Sequence, residues 1–194
     1  MAAESPFVKA AKEVASQLLQ SPLYIEQGAA LIYQLAVDNQ LNLTVNLKRP
    51  VRGNSAFQTD LCIFEKKGEG ICIPRVVMEF KTHITTHDIL TYSAKAAKHK
   101  QIYPYLRYGI IAEKDTEVPK RLFTHNDSLD FCAAVSGLEG NNLLVFFNKL
   151  LKDEIKSSIL LEDIAFGSIH TRLFRSEVVV SEMSVESELI KRRK

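Results

Sequence analysis

Hydrophobic and polar positions divide the chain into blocks of different period. Residues 6 to 20, PFVKAAKEVASQLLQ, set Phe7, Ala10, Ala11, Val14 and Leu18 on one helical stripe with Pro6 at an early position, and predict a helix. Ser21 followed by Pro22 marks the cap and first turn of a second helix, 22 to about 39, with Leu23, Ala30, Leu31 and Leu35 in its apolar set. Leu41 to Leu47 alternates strictly and predicts a strand with one buried face, ending at KRPVRGN, where Pro50 and Gly53 break regular structure. Two mostly apolar runs follow, 57 to 64 and 71 to 80, joined by a Gly-rich charged link. A polar link, 82 to 87, leads to a helix from 88 to about 101 with Asp88 or Thr86 as its cap, and then to a strand from Tyr105 to Glu113. Strand, helix and strand over 76 to 113 have the spacing of a right-handed crossover between parallel strands.

Beyond 113 the pattern predicts a short helix at 117 to 123, a strand at 129 to 135 and a helix from about 141 to 154. Residues 155 to 180 mix apolar and polar character and close on the β-rich run RSEVVV, and 181 to 194 read as a polar tail. The two apolar runs are hydrophobic on both faces, Leu61 and Ile63 against Cys62 and Phe64, then Val77 against Val76, Met78 and Phe80. Strands of that kind are covered on both sides. The expected fold is therefore α/β, a central mixed sheet flanked by helices, in one domain over 1 to 180.

Composition adds exclusions. With 194 residues, 46% hydrophobic and 25% charged, the chain has the balance of a globular protein. It has no apolar run of membrane-spanning length and no hydrophobic signal core in MAAESPFVKAAKE, so no membrane partner and a cytoplasmic location are expected. Cys62, Cys72 and Cys132 show no CxxC spacing, which argues against a disulfide framework or a cysteine zinc site. The net charge of +2 does not by itself announce a nucleic-acid binder. Its distribution says more, because Lys48, Arg49 and Arg52 cluster before the first apolar run, and Lys95 and Lys98 belong to a basic stretch after the second. Basic residues on both sides of a carboxylate pair suit a polyanionic substrate.

That pair is Asp60 and Glu79, each interrupting an apolar run, with Lys81 on the same strand face as Glu79. A hairpin centred between Glu69 and Gly70 pairs residues whose numbers sum to 139, which places Asp60 opposite Glu79, although Pro74 threatens the register. Buried carboxylates at that separation suit an oxygen-liganded divalent cation and hydrolysis of a phosphodiester. His83 and His87, at i and i+4, read as polar link residues in preference to zinc ligands. Tyr92, Tyr103 and Tyr105 read as packing residues.

Asp60, a gap of 18 residues and then Glu79-Phe80-Lys81 resemble the PD-(D/E)XK nuclease superfamily, the fold of restriction endonucleases and many repair nucleases. The resemblance covers about 22 to 113, and Thr59 stands where the motif has proline. It implies a restriction endonuclease-like core with Asp60 and Glu79 as metal ligands, the Phe80 carbonyl as a third, and Lys81 as water-orienting base or electrostatic partner. Glu26 matches an acid that some members carry on the preceding helix, and is grouped with the catalytic residues. The implied activity is that of a magnesium-dependent DNA endonuclease, with manganese as a substitute, acting on double-stranded DNA. A compact chain of this kind looks most like a type II restriction endonuclease working as a homodimer. The alternatives are a repair or recombination nuclease that recognises DNA structure, and a catalytically silent nucleic-acid-binding module on the same fold.

Overall fold

The computed structural model describes residues 6 to 173. In chain order its elements are α1 (Pro6–Leu18), β1 (Leu23–Gln27), β2 (Ala30–Ile32), β3 (Ala56–Gln58), β4 (Leu61–Lys66), β5 (Cys72–Lys81), α2 (Thr86–Ile102), β6 (Arg107–Ala112), α3 (Leu122–His125), β7 (Phe131–Ala134) and α4 (Gly140–Phe166). Five strands form a central sheet in the order β1-β4-β5-β6-β7, while β2 and β3 make a separate two-stranded ribbon. The β1–β4 and β4–β5 pairs are antiparallel and the β5–β6 and β6–β7 pairs parallel, so the sheet is mixed.

Helices cover both faces. Cys62, Phe64, Val77, Tyr108 and Ile110 pack with Ile89, Tyr92 and Ala96 of α2. Leu61, Ile63, Val76, Met78 and Phe80 pack on the opposite face with Val8, Ala11 and Ala15 of α1 and Phe147, Leu151 and Ile155 of α4. The alternation expected of the two apolar runs is thus the division between two cores. The α/β class with a mixed, helix-flanked sheet and the β5-α2-β6 crossover both match expectation.

Two expected elements are replaced. The stretch 22 to 39 is not a helix: Leu23–Gln27 pairs along β4, and Gly28, at φ +68°, turns the chain into β2. Its apolar residues satisfy either period over so short a run, and pairing on the sheet edge outweighs helical propensity. Consequently Glu26 sits on a strand. The stretch 41 to 47 forms no strand, only a single bridge between Val37 and Leu43, within a long excursion from 33 to 55 that links β2 to β3. Its alternation finds no sheet edge to extend, because β1 occupies that side, and Leu41, Leu43 and Leu47 are all exposed.

Smaller differences concern boundaries. Thr85 caps α2: its side chain accepts from the Asp88 amide while the Asp88 carboxylate accepts from the Thr85 amide, a capping box. The final helix runs twelve residues past the expected 154, to Phe166, and α3 is a single turn at 122 to 125. The RSEVVV run and the polar tail lie outside the described residues.

Two ion-pair groups hold α4 at the end of the sheet where β5 and β6 begin. Arg75, fully buried, is paired with Glu65 of β4 and Glu162 of α4, which also takes Lys67. Arg107 bridges Asp130 at 2.9 Å and Glu154 of α4 at 2.6 Å, and Lys100 joins Asp130 at 2.7 Å. The opposite end, where β5 terminates, carries the candidate site.

Candidate active site

Asp60 lies in the bend between β3 and β4, and its position follows from three main-chain anchors. The Gly28 amide donates to the Asp60 carbonyl at 3.1 Å, and the Thr59 amide and hydroxyl donate to the Ala29 carbonyl at 2.9 and 3.0 Å. Thr59 is buried, so the residue standing in the motif's proline position instead locks the bend by hydrogen bonding. From Leu61 the β4–β5 register is Leu61↔Met78, Cys62↔Val77 and Ile63↔Val76, each pair summing to 139, so Asp60 continues opposite Glu79. The irregularity that Pro74 threatens is real, but it falls between Ile63 and Phe64, where a bulge at Arg75 shifts the pairing to Phe64↔Pro74. The rung that carries the acids lies on the unaffected side.

The two carboxyls lie within hydrogen-bonding reach of each other. One oxygen of each is already committed: Asp60 Oδ2 accepts from the Phe80 amide at 2.8 Å, and Glu79 Oε1 accepts from the Tyr108 hydroxyl at 2.6 Å. Glu79 is only 2% exposed. Burial, and then the Asp60 charge, push its pKa up to about 7, against the opposing pull of the Tyr108 hydrogen bond and Lys95. The pair is thus a pocket of uncompensated negative charge with Asp60 Oδ1 and Glu79 Oε2 uncommitted.

Lys81 ends β5 on the face of Glu79, its Nζ 3.6 Å from Asp88 and 5.0 Å from the Tyr92 ring centre. Partial burial works against its charge, but the Tyr92 hydroxyl together with Asp88 and Asp60 keeps its pKa above the ordinary lysine value. Lys81 is therefore an ammonium at neutral pH. Lys95, one helical turn beyond Tyr92, lies 4.7 Å from that ring and 5.5 Å from Phe57. Tyr92, read from sequence as packing, is a platform between two cations.

Tyr108 is the residue that sequence reasoning missed. It is fully buried on β6, opposite Val77 and on the face of Glu79, with His99 of α2 stacked 5.7 Å from its ring. A signal was present: a tyrosine inside a buried apolar strand needs a partner for its hydroxyl, and the adjacent parallel strand carries the acid. His99, also fully buried, contacts the Ile32 carbonyl through Nδ1 at 3.0 Å and so ties the ribbon to α2, while its Nε2 has no partner among the described residues.

The remaining expected residues are placed as follows. Glu26 pairs with Cys62 on the face of Glu79, one rung and two strands away, roughly 12 Å between backbone positions. Burial, then the charges of Glu26 and Glu79 on either side, raise the Cys62 thiol pKa well above its ordinary value. Phe80 turns its ring to the other face, against Phe7, and presents its amide to Asp60. Lys98 lies 5.1 Å from the Tyr33 ring at the root of the ribbon. Lys48, Arg49 and Arg52 are exposed in the 33 to 55 excursion, the first two with amides held by Asn46 Oδ1. His83 precedes α2 and contacts Asp115 at 2.7 Å, while His87 lies inside the helix, so the two do not converge.

Among the described residues no group of three or more His, Cys, Asp or Glu is arranged to hold a metal ion. That arrangement would be expected for zinc, whereas magnesium is commonly held by one or two carboxylates, with waters and substrate phosphate completing its shell. The acid pair, with its uncommitted oxygens and raised Glu79 pKa, fits the second description. The chain matches no protein-family model and no curated protein. Among the described residues no helix is long and apolar enough to cross a membrane.

Proposed function

We propose that the protein is a magnesium-dependent DNA endonuclease of the PD-(D/E)XK kind. The observation that carries this reading is the shared rung of Asp60 and Glu79 with Lys81 on the same face. The element order agrees with it: helix, strand, acid-bearing strand, strand ending in Glu-x-Lys, crossover helix, parallel strand. Asp60 and Glu79 hold the cation through Oδ1 and Oε2; when bound, it offsets phosphodiester charge and lowers the pKa of a water. Tyr108 and the Phe80 amide fix the two carboxylates so that neither has to reorient. Lys81, charged at neutral pH, steadies the nucleophile and the developing phosphorane charge by electrostatics; it does not remove a proton. Lys95 and Lys98 guide the polyanion along α2.

Plasmid DNA incubated with the protein and magnesium tests this directly. Discrete fragments indicate a type II restriction endonuclease, which would require a second copy for the second strand; nicks indicate recognition of DNA structure. Lys81→Ala and Asp60→Ala should each abolish cleavage and keep the native circular dichroism. An intact wild-type protein that leaves the plasmid untouched with magnesium and with manganese would overturn the proposal in favour of a silent binding module.

A further inference from the structure

The excursion from 33 to 55 displays apolar side chains that nothing among the described residues covers. Val37 and Leu43 face each other across its bridge and are each about half exposed, as is Leu35 two positions earlier. Leu41 stands at the tip, 82% exposed and at φ +64°. A leucine in the left-handed region costs on the order of 1 kcal/mol relative to glycine, and here it gains no burial in return. The tip is nevertheless well built. The Asp38 carboxylate accepts from the amides of Gln40 and Asn42 at 2.8 and 2.9 Å, and the Leu41 amide donates to the Asp38 carbonyl. Patches of this kind on a folded surface mark contact sites.

Charge selects the occupant. Between 33 and 55 the cations are Lys48, Arg49 and Arg52 and the only acid is Asp38, whose carboxylate is engaged within the turn. A second copy meeting this face about a twofold axis would bring the three cations of each copy together, an unfavourable pairing. A nucleic acid would meet them with phosphates. The excursion also grows directly from the catalytic bend: its ribbon ends two residues before Asp60, is tied to Asp60's neighbour by the Ala29 carbonyl, and lies over α2 with Phe57 beside Lys95 and Tyr33 beside Lys98. Lys81, Lys95, Lys98 and the basic excursion thus form one track leading away from the acids.

We infer that this excursion is an apolar wedge on a basic footing that inserts Leu41 at an opened base step, so that the substrate is branched or frayed duplex DNA. Proteins that kink or unstack DNA use aliphatic side chains flanked by cations in this way. The inference rests on the nucleic-acid part of the proposed function and selects its structure-recognising form.

The test compares binding of a splayed fork and a linear duplex of equal length by fluorescence anisotropy, in chelator at physiological salt, with 2-aminopurine at the branch reporting unstacking. The wild-type chain should prefer the fork about tenfold and brighten the probe. Leu41→Asn and Leu41→Gly, both of which relax the tip, should bring that ratio close to one, whereas Leu160→Asn, an equally exposed aliphatic on α4, should preserve it. Equal binding of fork and duplex by wild type, or a preference that survives both Leu41 variants, overturns the inference. So does a dimer in sedimentation that Leu41→Asn dissociates, which would give the face to a second copy. Plasmid cleavage without fork preference removes the wedge and leaves the nuclease; fork preference without cleavage does the reverse.

Discussion

Glu79→Gln keeps the shape of the side chain while deleting one of two carboxylates that share a buried rung, and its effect on stability follows from that charge. Glutamine still accepts from the Tyr108 hydroxyl, and its amide can donate to Asp60. In the wild type the folded-state pKa of Glu79 is raised to about 7 from 4.5. An acid raised in this way is protonated in the fold and ionised in the unfolded chain between those limits. Stability is greatest below pH 4.5, falls as pH rises towards 7, and is fully lost above it. At about 1.4 kcal/mol per unit the penalty above pH 7 is about 3 kcal/mol. Glu79→Gln should recover that amount at pH 8 and nothing near pH 4, a rise in melting temperature of roughly 6–12 °C at the higher pH. Urea denaturation of both proteins at the two pH values measures it. Magnesium should then raise the stability of the wild type and leave the variant nearly unchanged, since ligand linkage requires the site. A variant less stable than wild type at pH 8, or a difference that does not change with pH, would refute the reasoning. Cleavage should be lost throughout.

Tyr108→Phe leaves Glu79 Oε1 without its donor, and should cost about 1–3 kcal/mol while moving the acidic limb of the cleavage pH profile upwards, because the lost hydrogen bond had favoured the ionised acid. His99 is held neutral, its pKa lowered to about 4 by burial, opposed by the Ile32 hydrogen bond and aided by Lys95. Its contribution is complete above pH 6.5 and is lost as pH falls towards 4, about 3 kcal/mol in all, so denaturation curves of wild type and His99→Gln should converge on acidification. Arg75→Ala strands Glu65 and Glu162 and should destabilise by about 3 kcal/mol in urea titrations at neutral pH.

The acid pair and Lys81 were legible in the sequence because charges interrupt runs otherwise apolar on both faces, and strand periodicity then fixes which of them share a face. Their convergence was computable from hairpin register alone. The helix expected at 22 to 39 failed because Leu23, Ile25 and Leu31 fit either period, and only the presence of β4 as a partner decides between them. The strand expected at 41 to 47 failed for the opposite reason: alternation without a neighbouring edge buries nothing. Tyr108 escaped because its role depends on a parallel pairing that sequence proximity does not reveal, and Lys95 because its charge reaches Glu79 across the helix–sheet layer.

The extra residue at Arg75 separates the hairpin into two mechanical regimes. The turn from 67 to 71, with Gly68 and Gly70 in open space at positive φ, is insulated from the catalytic rung by the bulge and by the buried guanidinium that clamps it to α4. Changes in length there would be absorbed before they reached Val76. The turn is accordingly a natural port of insertion, a place where a reporter peptide can be spliced into the chain without disturbing the acids at the hairpin's far end.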